Sequence, residues 1–270
     1  MPRCCICGTV KNCGQYLDRI FKNMEKIATL FDDYRIILYY DNSDDNTLQK
    51  IKDYQKINKK VELFENKTPP LPYRTHRIAK GRNRCMQRIR NQYNDYGYFI
   101  VMDCDDVCSS PINLDVLKRT LFLEDWDAVS FNRNPFYDTW ALSIKPFMYS
   151  YRHFENAALA CDNVKNYVQN RLKQLTPGQL LPCASAFSGF AVYKTQKFLN
   201  CHYDGRLNMN LFSKLQLLKN MHAHGDMKLV IRDADAEQSI MDDCEHRSFH
   251  VQAINNNNAR IRISPEVLFS

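Results

Sequence analysis

The chain has 270 residues, 44% of them hydrophobic and 25% charged, with a formal net charge of +7. Such usage is ordinary for a globular protein, and a chain of this length buries on the order of 70–75% of its unfolded surface, so disorder, a collagen-like repeat and a disulfide-stapled miniprotein are excluded. No near-continuous apolar run approaches the roughly 18 residues that a spanning helix needs, and the basic balance favours an anionic partner without the interleaved basic-aromatic stripe expected of a nucleic-acid binder.

The chain opens without the charged start and apolar stretch of a secretory signal. If Met1 is the native start, a cytoplasmic location, or one peripheral to a membrane, is expected. Eleven cysteines, an odd number, several inside apolar runs such as Cys5, Cys7 and Cys104, fit a reducing compartment better than a disulfide framework. The richness in Asn, Lys, Ile and Tyr suits an AT-rich microbial or large-virus genome.

Residues 4–10 read as a buried strand, and residues 14–31 carry Leu17, Ile20, Phe21, Met24, Ile27, Ala28 and Phe31 at helical spacing. A second apolar run follows at 35–40, a polar turn at 41–46 and a helix at 47–57. Residues 61–64 form a third short strand, 77–93 a basic helix, and 98–102 an apolar and therefore central strand. A helix at 114–122 and a strand at 128–131 complete a β-α-β-α-β-α-β-α-β pattern, which predicts a mostly parallel sheet with helices on both faces. The second half is less regular: one or two helices over 154–175, a strand at 186–193, a helix at 212–221, a strand at 228–231 and an asparagine loop at 255–258.

In such sheets ligands bind beyond the carboxyl ends of the strands. There stand Thr9, Lys11 and Asn12 after the first strand, Asp41 to Thr47 (Ser43 among them) after the second, and Asp103-Cys104-Asp105-Asp106 after the fourth. Asp, Asn and Ser are also the preferred helix caps, so the first two groups have a purely structural reading. The Asp103–Asp106 group gathers like charges that repel unless a cation joins them; Mg²⁺ or Mn²⁺, held by one or two carboxylates and substrate phosphates, suits it. The basic stretch Arg77 to Arg90 supplies groups for phosphates, and Arg82 is the member preferred for a diphosphate because Arg offers a fork of donors; a solvated basic face is the alternative. No P-loop, Gly-x-Gly-x-x-Gly or Gly-x-Ser-x-Gly motif is present.

Together these residues resemble the glycosyltransferases of the GT-A fold, a Rossmann-like α/β architecture. The resemblance implies that Asp103-Cys104-Asp105 is the Asp-x-Asp motif binding a metal on the diphosphate of a nucleotide sugar, and that Asp41 contacts the nucleoside. A narrower likeness, carried in order by Arg77-Ile78-Ala79-x-x-Arg82-Asn83, by Phe99 to Val107 and by Phe136-Tyr137-Asp138-Thr139-Trp140-Ala141, is to the fungal capsule-associated α-1,3-mannosyltransferase family. It implies GDP-mannose as donor, with UDP-sugars still open, a glycan or other hydroxyl acceptor, and retention of configuration. Residues 1–135 would then form the nucleotide-sugar-binding half and residues 136–270 the acceptor half of one domain.

Within that reading Thr9, Asn12, Asp41, Ser43, Arg77, Lys80, Arg82, Asn83 and Cys104 are expected around the donor. Asp103 and Asp105 would hold the metal, with His250 preferred over His246 as a third ligand. Glu245 and Asp243, beside Asp242, are candidates for a base or an acceptor-binding carboxylate. Tyr137, Asp138 and Trp140 would line the sugar or acceptor, as would Ser188 and Gly189. His222 and His224 near Asp226 read as a solvated loop. A non-catalytic sugar- or nucleotide-binding module on the same scaffold is the alternative function.

Overall fold

The computed structural model describes residues 2–69, 71–230 and 242–270. Its strands are β1 (Cys4–Val10), β2 (Tyr34–Tyr40), β3 (Val61–Glu65), β4 (Tyr98–Met102), β5 (Ala128–Asn132), β6 (Leu181–Cys183), β7 (Phe190–Lys194) and β8 (Ile261–Val267). Its helices are α1 (Gly14–Ala28), α2 (Thr47–Ile57), α3 (Arg74–Gln92), α4 (Leu114–Leu121), α5 (Ala157–Lys173), α6 (Lys214–Ala223) and α7 (Glu245–Asn257). The strands make one sheet in the order β3-β2-β1-β4-β7-β5-β8-β6. Strands β1 to β4 pair in parallel, β7 runs antiparallel between β4 and β5, and β8 is parallel to β5.

Helices cover both faces, and the strand sequences show why. In β1, Cys4 and Ile6 join the core beneath α1, whereas Cys5 and Cys7 join the core beneath α3 and α7; with period-two alternation, a strand covered on both sides has to be apolar throughout. All eleven cysteines are free thiols, and all but Cys161 and Cys183 are buried. Among the described residues no helix is long and apolar enough to cross a membrane.

The second half departs from expectation. Residues 255–257 are the last turn of α7, not a loop, and Asn258 ends that helix in the left-handed region at φ 51°. The strand expected at 228–231 reduces to a single bridge from Leu229 to Phe154, and Ile231 lies outside the described residues. Strands β6 and β8 were not expected, since β8 carries Arg262, Pro265 and Glu266 among its apolar residues.

Helix α7 is buried nearly all round, with Glu245, His246, Arg247 and His250 inside. Arg247 makes this tolerable. Its Nε donates to Asp243 Oδ2 at 2.8 Å, and its other nitrogens donate to the carbonyls of Trp140 at 2.5 Å and Leu142 at 2.8 Å and to Ser143 Oγ. One buried guanidinium thus fastens residues 140–143 to α7, satisfying carbonyls that no strand partner reaches. Asp243→Ala leaves that charge buried without its carboxylate and is expected to lower stability by about 3–5 kcal/mol, read as a lower urea midpoint; Asp243→Asn, which keeps an acceptor, should lose less.

Candidate active site

At the carboxyl ends of β1, β2 and β4 lies a cleft of about 300 Å³, lined by Thr9, Lys11, Asn12, Asp41, Arg74, Arg77, Asp103, Cys104 and Asp105 among others. Its floor depends on the local backbone. Asn12 stands in the left-handed region at φ 48°; its N–H donates to Ser43 Oγ at 2.9 Å, and its side-chain oxygen accepts from the Asp44 N–H at 2.9 Å. Ser43 therefore shapes the cleft from behind rather than lining it. The neighbouring turn is a cap, since Asp45 accepts from the Gly14 N–H at 2.9 Å at the start of α1, where a negative charge suits the helix dipole. Asp41 Oδ1 accepts from Asn66 Nδ2 at 2.8 Å, and its Oδ2 lies 3.8 Å from Lys11 Nζ and 3.9 Å from Arg77 Nε.

Asp103 and Asp105 follow β4 into this cleft. The Asp103 N–H donates to the Gly189 carbonyl at 2.8 Å. Gly189 has φ +80°, and a Cβ there would run into Val107, so this approach of chain to chain needs glycine. Burial pushes the Asp103 carboxyl up to about 7; Arg82 opposes the rise, and Asp105, Asp138 and Glu245 add to it. Burial also raises Asp105, against a hydrogen bond from the Val107 N–H at 3.1 Å. The thiol of Cys104 packs on Gly8 and donates to the Met102 carbonyl at 3.7 Å, and the residue is 3% exposed.

Arg82 is not a diphosphate-facing group. It is 5% exposed, its Nη2 donates to Asp103 Oδ1 at 3.1 Å, and its Nη1 donates to Glu245 Oε1 and His246 Nε2. Its guanidinium lies 4.6 Å from the Phe187 ring centre and 5.8 Å from that of Tyr203. Burial works against its charge, but Glu245 and Asp103 hold its pKa above the ordinary value. Because guanidinium only donates, His246 Nε2 must accept.

Other expectations change for similar reasons. His250 is fully buried, with Nδ1 3.0 Å from Ser185 Oγ and Nε2 3.1 Å from the Tyr193 hydroxyl, so neither nitrogen is open to a metal. Among the described residues no three His, Cys, Asp or Glu side chains converge as a ligand set. Asp243 is committed to Arg247, and Glu245 to Arg82; Asp242 accepts from Thr75 Oγ1 at 3.3 Å. Lys80 and Asn83 turn away from the cleft: Lys80 Nζ donates to Asn66 Oδ1 at 3.0 Å, and Asn83 exchanges hydrogen bonds with the Tyr203 backbone at 2.8 and 2.9 Å. His224 is not solvated but buried between Phe147 and Phe154.

On the other side of the carboxylates a second cleft of about 650 Å³ is lined by Asp106, Arg133, Tyr137 and Lys165 among others. Tyr137 is 56% exposed. Asp138 behind it has its pKa raised by burial, against the backbone N–H groups of Ala141 and Ser188. Trp140 is covered on one face by Arg152 at 4.5 Å, and its Nε1, like Ser188 Oγ, has no hydrogen-bond partner. Sequence reasoning missed Arg74 because it began the helix at 77; the helix starts at Arg74 and sets that side chain in the cleft.

A mostly parallel sheet with helices on both faces and a cleft at its strand ends is consistent with the Rossmann-like GT-A fold. The chain belongs to glycosyl transferase family 2, whose sequence profile matches residues 5–175. A search of curated proteins finds no match. Among solved structures, the chain is similar to S. aureus TarS 1-349, at 12% identity and TM-score 0.46, covering 99% of this chain and 59% of that one. It is also similar to the mannosyltransferase PcManGT from Pyrobaculum calidifontis in complex with GDP-Man and Mn²⁺, at 12% identity and TM-score 0.41, covering 75% of this chain and 48% of that one. The chain thus spans about three fifths of the TarS piece.

The buried histidines set an acid limit. Burial, with Arg82 and Arg247 adding, pushes His250 down to about 3, and burial pushes His224 down to about 4, from an ordinary 6.5. Below about pH 6.5 the unfolded chain protonates these histidines and the folded one does not, so their contribution to stability falls as pH falls through that window, while the raised Asp103, Asp138 and Glu245 carboxyls work the other way. The slope is up to about 1.4 kcal/mol per pH unit for each histidine. Urea midpoints at pH 7.5 and pH 5 measure the net change, and a His250→Gln variant should fare better on acidification than the wild type by the His250 share.

Proposed function

We propose that the protein transfers a sugar from a nucleoside diphosphate sugar to a hydroxyl acceptor. The observation that carries this is the convergence of Asp103 and Asp105, both raised by burial, with Arg74 and Arg77 on one cleft at the strand ends. Two carboxylates that resist ionising side by side suit a divalent cation. Asp103 and Asp105 would hold Mn²⁺ or Mg²⁺, which when bound supplies positive charge to the leaving diphosphate. Thr9, Asn12 and Asp41 receive the nucleoside side of the donor, and Arg74 and Arg77 its phosphates. Arg82 and Glu245 act from behind by fixing Asp103, as positioning residues.

The donor half is residues 1–135, and the acceptor enters from residues 136–270 through the Tyr137 cleft. Tyr137, 56% exposed, offers a ring to a sugar face, with Ser188 and the indole Nε1 of Trp140 buried near the site. The capsule-family likeness favours GDP-mannose and retention. Asp138 supports a second reading, in which a buried carboxylate with a raised pKa takes the acceptor proton as general base and the configuration inverts. Proton NMR of the anomeric linkage in the product separates the two. Eleven free thiols suit a cytoplasmic location.

The test is a thermal-shift screen of GDP-mannose and UDP-sugars with and without Mn²⁺, since a ligand bound to the folded state raises its melting temperature. A shift that needs both donor and metal is expected, together with donor turnover. Asp103→Asn and Asp105→Asn should abolish the metal-dependent shift and lower turnover by about 100-fold or more; unchanged turnover overturns the proposal. Arg74→Gln with Arg77→Gln should raise the donor KM more than it lowers kcat. Binding without turnover across the panel would mark a non-catalytic module instead.

A further inference from the structure

Several cations of α3 take no part in the donor cleft. Lys80, Arg84 and Arg90 line a separate groove of about 960 Å³, whose opposite wall includes Phe64, Lys67 and His202. Its lining sets four cations against one carboxylate. Glu65, also in the groove, is paired with Lys52 at 3.2 Å. Among the described residues, Lys67, Lys80, Arg84 and Arg90 have no carboxylate partner. They are held by neutral acceptors instead: Lys80 by Asn66 and Thr68, Arg84 by Gln87 Oε1 at 2.5 Å, and Arg90 by the carbonyls of Leu199 and Cys201. Arg88 on the same helix shows the contrast, because Glu62 pairs with it at 2.5 Å. Neutral acceptors orient a cation without reducing its charge, so the groove keeps a positive potential between low-dielectric walls, which concentrates anions.

We propose that this groove is an anion-binding site distinct from the donor cleft, and that its ligand is a linear polyanion without stacking bases. Ten residues separate Lys80 from Arg90, about 15 Å along a helix, more than a single phosphate spans. Bases have little to stack on: Arg84 lies over Phe64 at 4.3 Å, Tyr39 is 6% exposed, and the one exposed ring in the lining is the imidazole of His202. A bilayer is disfavoured because the cations line a concavity between α3 and the Phe64–Lys67 wall rather than a convex face. Tyr39 borders both this groove and the donor cleft, so a bound chain runs up to the edge of the donor site.

The experiment is fluorescence anisotropy with a labelled short inorganic polyphosphate, across a salt series, using the whole chain. Polyphosphate should bind with an affinity that falls linearly in log–log form with salt. Lys80→Gln with Arg84→Gln should weaken binding at least tenfold and reduce the salt slope by about two, and the loss should be as large when Arg74→Gln and Arg77→Gln are already present. The single Arg84→Gln variant at an exposed position, with a melt recorded for each protein, separates lost binding from lost folding. Equal binding by the double variant and the wild type overturns the proposal. So does tighter binding of an oligothymidylate of matched charge, which would mark a nucleic-acid site, or binding confined to phosphatidylglycerol vesicles, which would mark a membrane surface.

Discussion

The buried guanidinium of Arg82 is the contact on which the site depends. Taking a charge out of water costs several kcal/mol unless it is paired and its hydrogen bonds are met. Arg82 meets this with Asp103 from the end of β4, Glu245 and His246 from the start of α7, and two aromatic faces. Its partners lie 21, 163 and 164 residues away in the chain, so the same contact closes the second half of the molecule onto the first. It does not offset the cost of burying the carboxylates: Asp103, Asp138 and Glu245 all feel Arg82, yet burial keeps all three carboxyls above their ordinary range.

The second half has a polar core where the first has an apolar one. Arg247 bonds to the backbone of residues 140–143 much as a neighbouring strand would, and His246 and His250 fill space beside Phe187, Tyr193 and Phe198 as neutral rings. Irregular backbone is acceptable inside a protein only when its carbonyls find donors, and α7 supplies them. The segment that carries Asp138 and Trp140 is therefore held by side chains rather than by a sheet ladder, which is a way to keep an irregular loop ordered.

The sequence made the first half legible because its physics is local. Apolar runs that alternate between two covered faces, as in Cys4 to Val10, can hardly be anything but central strands, and the polar residues after them mark the strand ends. Helix α7 and β8 were opaque for the opposite reason: their buried residues include Arg247, His246, His250 and Ser264, so hydrophobic periodicity is absent where burial is greatest. The roles of His250 and Asp243 were misread because composition shows which groups are able to bind a metal or a proton, and not which neighbours have already claimed them. Arg82 had a signal that was passed over. It stands three residues after Ala79 and three before Cys85, on the same buried face as Met86 and Ile89.

Helix α3 shows what that face assignment decides. Its 19 residues hold one dense basic block, yet the helical period sorts the block into three environments. The first turn presents Arg74 and Arg77 to the donor cleft, the buried stripe presents Arg82 to the carboxylates, and the opposite stripe presents Lys80, Arg84 and Arg90 to the outer groove. A net charge of +7 read as one number suggests one anionic partner. Read along a helix of 3.6 residues per turn, the same charge has separate tasks: Arg82 is neutralised inside the protein and Arg88 by Glu62, while Lys80, Arg84 and Arg90 have no carboxylate partner among the described residues.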